Sequence, residues 1–129
     1  MKNIIDVLRS MPDFIGSNGR SKEEIELAET MLEVAFARDY RNYLEEIGLA
    51  CFDGHELTGL TKTDRLNVVT VTMEQRERFG KIASAWYVIE EANIYGIVIW
   101  QDTEGFVYEA ASNAKVKKVA DSLSEYFTK

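Results

Sequence analysis

Tyr40-Arg-Asn-Tyr-Leu-Glu-Glu-Ile-Gly48, then Leu-Ala-Cys-Phe-Asp53, then Gly54-His-Glu-Leu-Thr-Gly-Leu60 is the stretch on which the fold of this chain turns. Tyr40, Tyr43, Leu44 and Ile47 recur at i, i+3, i+4 and i+7, so they share one face of an amphipathic helix. Arg41, Asn42 and Glu45 fall on the opposite face. Gly48 follows the last apolar residue, where a helix needs a residue tolerant of positive φ. Gly54 and Gly59 bracket His55-Glu-Leu-Thr58, short enough for a single strand or extended segment. A helix stops, the chain turns, and the next segment feeds a sheet.

Asp39-Tyr40, Tyr43-Leu44, Gly48 and Gly54-x-Glu56-Leu57-x-Gly59-Leu60 also resemble the signature of the SUKH superfamily, called Smi/Knr-like after fungal cell-wall regulators. Its usual pattern runs Leu-Pro-x-Asp-Tyr-x-x-Phe-Leu, then a glycine, then Glu-Leu-x-Gly-Leu. The resemblance implies an architectural role for Tyr40, Leu44, Gly48, Glu56, Leu57, Gly59 and Leu60. Further matches follow in order and span nearly all of the chain. One departure is plain: Phe36-Ala37 stands where Leu-Pro is common. Without proline the helix start is less sharply marked, and helices two and three are expected to run closer together.

Working outward toward the N-terminus, Ser21-Lys-Glu-Glu24 forms a capping box, opening a second helix that buries Ile25, Ala28, Met31, Leu32 and Ala35. This resembles the family's opening helix, with Glu29 and Leu32 in its Glu and Leu places. Before it, Gly16-Ser-Asn-Gly19 is a turn-rich connector. Asn3 caps a first helix with the apolar stripe Ile4, Val7, Leu8 and Met11, which Pro12 ends.

Toward the C-terminus, Asn67-Val-Val-Thr-Val-Thr-Met-Glu-Gln-Arg-Glu-Arg78 sets a β-branched first half against a helix-favouring second half. The family carries Asn-Val-Val, then Thr, then a charged tail ending in Arg, as a helix, so the resemblance implies helix from about Asn67 to Arg78. Ala85–Glu90, Tyr95–Gln101 and Phe106–Ala110 read as three strands, joined closely enough to form an antiparallel meander. Ile97, Ile99 and Gln101 alternate with Val98 and Trp100, so both sheet faces are covered. Ser122 and Glu125 make a second capping box for a C-terminal helix with Leu123, Tyr126 and Phe127. The family ends similarly, with a Ser-Phe-x-x-Phe-Leu helix. Val116 and Val119 allow that helix to start as early as an Asn113 cap. The fold expected is α+β, an antiparallel meander sheet with helices at the N-terminus, middle and C-terminus, in a single domain over residues 1–129.

Composition bounds the function classes. The 129 residues are 46% hydrophobic, ordinary for a globular domain. A net charge of −7 disfavours direct binding to a phosphate backbone and suits a basic partner. One cysteine, Cys51, excludes an internal disulfide. Asp6, Arg9, Ser10 and Asp13 interrupt any signal-peptide core, and no apolar run approaches the roughly 20 residues that span a bilayer. A cytoplasmic location is expected.

Catalytic chemistry finds little purchase. His55 and Cys51 lie four residues apart across Gly54, with no supporting Asp or Asn, so a packed cysteine and a strand-edge histidine are expected. One His and one Cys exclude the usual structural zinc sets, and Asp102-Thr-Glu-Gly105 is a hairpin turn, too short for a calcium loop. Neither Glu45-Glu46 nor Glu90-Glu91 is by itself a paired-carboxylate site, because adjacent side chains diverge. No phosphate-loop pattern occurs. Trp86, Trp100, Tyr87, Tyr95 and Tyr108 stand among Glu90, Glu91, Asp102, Glu104 and Glu109, so they read as core rather than an RNA platform. No metal, cofactor or catalytic residue is assigned.

Charge is informative. Between Glu23 and Glu56, ten acids (Glu23, Glu24, Glu26, Glu29, Glu33, Asp39, Glu45, Glu46, Asp53 and Glu56) face two bases (Arg38 and Arg41), a net of −8. The resemblance implies an immunity protein, an antitoxin that blocks a cognate polymorphic toxin, frequently a nuclease, in a bacterial cytoplasm. Such toxins are often basic because their substrate is polyanionic. Charge and position nominate Glu45, Glu46, Asp53, Glu56, Glu90 and Glu91 as partner contacts. Two alternatives stand: a Smi/Knr-like regulatory scaffold, whose usual long disordered flanks are not seen in this sequence, and a small-ligand-binding domain or small enzyme. Self-association is left open.

Overall fold

A computed structural model describes residues 3–92, 96–111 and 115–129. The chain begins with α1 (Ile4–Arg9), capped by Asn3, and β1 (Ile15–Gly16). Then follow α2 (Lys22–Leu32), α3 (Arg38–Glu46), β2 (Ala50–Phe52) and β3 (His55–Glu56). A 3-10 turn over Asp64–Leu66 leads to α4 (Val68–Phe79), and a second over Gly80–Ala83 follows it. The meander is β4 (Tyr87–Glu91), β5 (Val98–Gln101), β6 (Val107–Ala110) and β7 (Lys117–Ala120), with α5 (Leu123–Thr128) last. Strands β1, β2 and β3 make a small antiparallel sheet, and β4 to β7 a larger one in sequential order. The architecture is α+β.

The quoted stretch forms as its spacing predicts. Tyr40, Tyr43 and Leu44 on α3 are fully buried, and Ile47 is buried just past its end. Gly48 takes φ 79° and turns the chain into β2. Gly59 returns against Gly48 closely enough that a Cβ there would lie 2.0 Å from the Gly48 carbonyl oxygen. Leu60 N–H donates to that same carbonyl at 3.2 Å. The two motif glycines are therefore the contact between the end of α3 and the start of the segment leading to α4.

The larger sheet is covered on both faces. On one face Tyr87, Ile89, Ile99 and Val107 pack with α1, α2, α3 and α5 in the main core. On the other, Val88, Val98, Trp100 and Ala110 join Val71 of α4 and Ala83, with Phe79, Trp86 and Tyr108 over them. Pairing β4 to β5 and β5 to β6 is the meander expected from the sequence. The conflict over 67–78 resolves as helix. Asn67 Oδ1 accepts from Val69 and Thr70 N–H, and Val68, Val69 and Val71 are buried, so capping and packing outweigh β propensity.

Several expectations need correction. Residues 117–120 are a fourth strand, not an extension of the last helix, because Lys117 and Lys118 pair with Glu109 and Tyr108 of β6. Helix α5 begins only after Ser122, and the Asn113 cap lies outside the described residues. Ser122 Oγ accepts from Glu125 N–H, but Glu125 reaches back to Asp121 N–H, one residue beyond a capping box. Strand β4 starts at Tyr87 rather than Ala85, and β5 at Val98, with Tyr95 outside the described residues. Gly16, the first residue of the connector, pairs with β2 together with Ile15 before it, forming an edge strand. Met31, still within α2, is exposed because it stands beside Leu27 on an open groove while Ile25, Ala28 and Leu32 fill the core-facing side. Ala35 is exposed because α2 stops at Leu32 and Glu33 turns left-handed at φ 56°. That turn, and extended backbone up to Ala37, keep α2 and α3 apart.

Two predictions follow from the packing. Gly59→Ala forces the Gly48 carbonyl aside, and urea unfolding should show a loss of about 3 kcal/mol. Burial holds the Tyr40, Tyr43 and Tyr87 hydroxyls above their ordinary value of 10. Folded tyrosines with raised pKa keep their protons while unfolded ones lose them, so stability is full below pH 10 and falls as pH rises beyond it. Tyrosinate absorbance should rise near pH 12 for Tyr108 and for these three only as the chain unfolds.

Candidate functional site

The interior uses some of the acidic residues and leaves others for solvent. Asp39, in the first turn of α3, accepts from Gln101 Nε2 at 2.9 Å and from Leu123 N–H at 2.9 Å, joining α3 to β5 and α5. Glu29 accepts from Phe36 N–H at 2.8 Å and pairs with Arg41 at 3.1 Å. Glu90, 3% exposed, accepts from Tyr126 Oη at 2.8 Å and sits 2.8 Å from His55 Nδ1. Burial and the neighbouring Glu90 carboxylate push the Tyr126 hydroxyl far above its ordinary range.

The six nominated carboxylates thus divide into four places. Glu45 and Glu46, both exposed at the end of α3, meet Asp6 and Asn42 around a shallow concavity of about 360 Å³ beside α1. Glu56 and Glu91 are exposed and line a small notch of about 90 Å³ with Arg65. Arg65 bonds Glu56 twice, at 2.8 and 3.1 Å, holding the Glu56 carboxyl below the usual carboxylate range. Asp53 stands alone and exposed at the β2–β3 turn with φ 45°. Glu90 is inside, where no partner reaches it directly. The diverging directions expected of Glu90 and Glu91 are therefore extreme: one is buried, while the other faces out and accepts from Gln75 Nε2 at 2.6 Å.

Asp6 and Arg65 carry no signal in the sequence for these places. Asp6 joins Glu45 and Glu46 only because α1 packs on α3, and Arg65 sits between two carboxylates far apart in the chain. No local spacing announces either.

His55, Glu90 and Tyr126 form a hydrogen-bonded triplet, so the imidazole is oriented by a buried carboxylate. A nucleophile would have to reach its other nitrogen. Cys51 pairs with Glu56 across the hairpin while Phe52 pairs with His55, so Cys51 and His55 project to opposite faces. The histidine ring instead packs against Phe52 and Phe127, at 5.5 Å from each. Among the described residues, no three or more His, Cys, Asp or Glu side chains are grouped to hold a metal ion. Among them too, no helix is long and apolar enough to cross a membrane. Chemically, the exposed arrangement can offer fixed negative charge to a basic surface.

The α+β scaffold thus divides its carboxylates between interior bonding and separate exposed places. The whole chain, residues 1–129, matches the SMI1-KNR4 cell-wall family model of the SUKH group, and the protein belongs to that family. Membership is consistent with an immunity-type or Smi/Knr-like domain and suggests a protein-binding role. No curated protein matches the chain.

The division of carboxylates is measurable. Glu90→Ala removes the shared acceptor of His55 and Tyr126 and should cost about 2 kcal/mol in urea unfolding, whereas Glu46→Ala should stay within about 0.5 kcal/mol of the parent.

Proposed function

We propose that this protein is an immunity protein: it binds a cognate polymorphic toxin, a basic nuclease in the version the charge favours, and neutralises it by covering the surface the toxin works with. It acts in the bacterial cytoplasm, uses no cofactor and catalyses nothing. The observation carrying this reading is a family match along the entire chain, joined to exposed carboxylates on elements fixed by buried hydrogen bonds. Glu45, Glu46, Asp53, Glu56 and Glu91 are the contacts proposed, and Glu90 supports them from within by anchoring β3 and α5 to β4. Fixed negative charge speeds encounter with a basic partner and orients it. Rigid elements lower the entropy cost of docking.

The family description also names a cell-wall group, and this favours a second reading, a Smi/Knr-like regulatory scaffold that gathers partner proteins. The two differ in what the partner is.

Co-expression separates them. The chain should restore growth to cells making the toxin encoded beside its gene, and failure to do so removes the immunity reading. Glu45→Lys with Glu46→Lys should weaken toxin binding at least about tenfold, mainly through the association rate, with an unchanged urea midpoint. The parent's affinity should fall as salt rises, and the double variant's should fall less. An unaltered affinity in the double variant would move the contact elsewhere.

A further inference from the structure

Between α2 and α4 runs an open groove of about 740 Å³, with Leu27, Ala28 and Met31 on one wall, Val69 and Thr70 on the other and Leu60 at one end. Leu27 and Met31 lie four residues apart on α2 and form a ridge, 62% and 51% exposed. The remaining apolar positions of α2, namely Ile25, Ala28 and Leu32, are buried, so this ridge is a second apolar stripe beyond what the core uses. Two large apolar side chains beside a concave apolar channel mark an interaction site more than a solvated helix face.

The groove has electrical polarity. Arg76 Nη1 donates to the Leu32 carbonyl at the C-terminal end of α2, while Glu24 and Ala28 line the channel with Asn67 and Thr70 at the N-terminal end of α4. The two helices therefore run roughly parallel, with both N-termini at the end where Arg20 and Lys62 lie. At that end two helix N-termini and these two cations stand against one lining carboxylate, Glu24, so positive charge is in slight excess. Beyond the other end the Thr70 stripe continues through exposed Glu74 and Glu77 at i+4 and i+7, and α2 ends at exposed Glu33. These three carboxylates outnumber the cation beside them, Arg76, which is half-buried against the Leu32 and Trp86 carbonyls. Exposed Glu23 and Glu26 flank the ridge along its outer side.

We infer that this groove is a docking site for an amphipathic helix of another protein. The occupant lies antiparallel to α2 and α4, presents apolar residues at i, i+3, i+4 and i+7 to Leu27, Met31 and Val69, and carries Lys or Arg in its N-terminal half. Its C-terminal carbonyls face Arg20 and Lys62, and its basic half faces Glu33, Glu74 and Glu77. A second copy of this chain is a poor occupant. The exposed positions of α2 include Glu23, Glu24, Glu26 and Glu33, so packing α2 on its own copy sets like charges together. The inference is independent of the toxin reading, whose contacts lie beside α1 and on the β3–β4 side of the fold.

The test titrates the full chain with synthetic, end-blocked peptides of about fifteen residues. The first has one leucine stripe and lysines only in its N-terminal half. The second carries the lysines in its C-terminal half, and the third replaces lysine with glutamate. Calorimetry should show the first binding best, the second several-fold weaker and the third not at all, with amide shifts in α2 and α4 marking the site. Leu27→Ser with Met31→Ser should weaken the first peptide at least about tenfold, with circular dichroism unchanged. Absence of binding by the first peptide, equal binding by the glutamate peptide, or unchanged binding to the double variant overturns the inference. So does dimerisation of the parent that the double variant abolishes in sedimentation, because the groove would then belong to a second copy.

Discussion

Thr58 is the junction through which the helical layer and the larger sheet hold one another. Its hydroxyl has one proton and gives it to the Val88 carbonyl at 2.7 Å, so the 2.9 Å bond from Tyr40 must be donated by the phenol. Tyr43 donates to the Thr58 carbonyl at 2.8 Å, and Thr58 N–H donates to the Ile89 carbonyl at 2.8 Å. Thus a single residue between β3 and the motif glycine engages two tyrosines of α3 and two backbone carbonyls of β4. A second buried chain lies alongside, where the Tyr40 and Tyr87 rings pack 5.1 Å apart. Ala37 N–H donates to Tyr87 Oη, Tyr87 donates to Gln101 Oε1, and Gln101 donates to Asp39 and to the Gly105 carbonyl. Tyr87 and Gln101 are 0% exposed, and an unpaired polar group at such depth costs about 1–3 kcal/mol. Each bond therefore fixes the direction of the next, and α3 has one place on the sheet.

This explains why acidic residues play two parts in the same protein. Asp39, Glu29 and Glu90 are held by backbone amides, an arginine, a histidine or a tyrosine, and they define geometry. Glu45, Glu46, Asp53 and Glu91 stand outside that network and define charge. Arg41 mediates between the groups: it pairs with Glu29 at 3.1 Å, and its longer contacts to Glu26 and Glu45, at 3.5 and 3.6 Å, are exposed and weak. The net −8 counted between Glu23 and Glu56 is thus not a uniform acidic face. Ion pairing thins it at Glu29 and Glu56, and it remains dense where α1 meets α3.

Local rules made the α3 stripe, the Ser21 capping box, the Asn67 cap and the central strand pairings legible in the sequence, because each rests on spacing of a few residues. Legibility ended where distant partners decide. Lys117–Ala120 has the composition of either a helix or a strand, and the free edge of β6 decides for strand. Met31 continues an apolar period along α2, but Ile25, Ala28 and Leu32 already fill the core-facing side and leave that side chain outside beside Leu27. Asp39 looked like one more surface acid because Gln101 and Leu123 are 62 and 84 residues away. The carboxylates whose neighbours were distant, Glu90 foremost, were the ones charge and position alone placed least well.

The substitution of Ala37 for the proline common at this point of the family pattern has a use in this network. Ala37 has φ −61°, a value proline also adopts, so the backbone needs no alanine for its shape. What alanine supplies is an N–H, and that N–H reaches Tyr87 Oη at 2.8 Å in the buried core. Proline would set the helix start at lower entropy but leave the tyrosine oxygen without this donor. The chain fixes α3 by a bond to the sheet rather than by a stiff backbone, and the same bond orients the tyrosine that orients Gln101 and, through it, Asp39. A departure that seemed only to loosen one helix end is a link in the chain of bonds that holds the sheet, α3 and α5 in register, and with them the carboxylates outside.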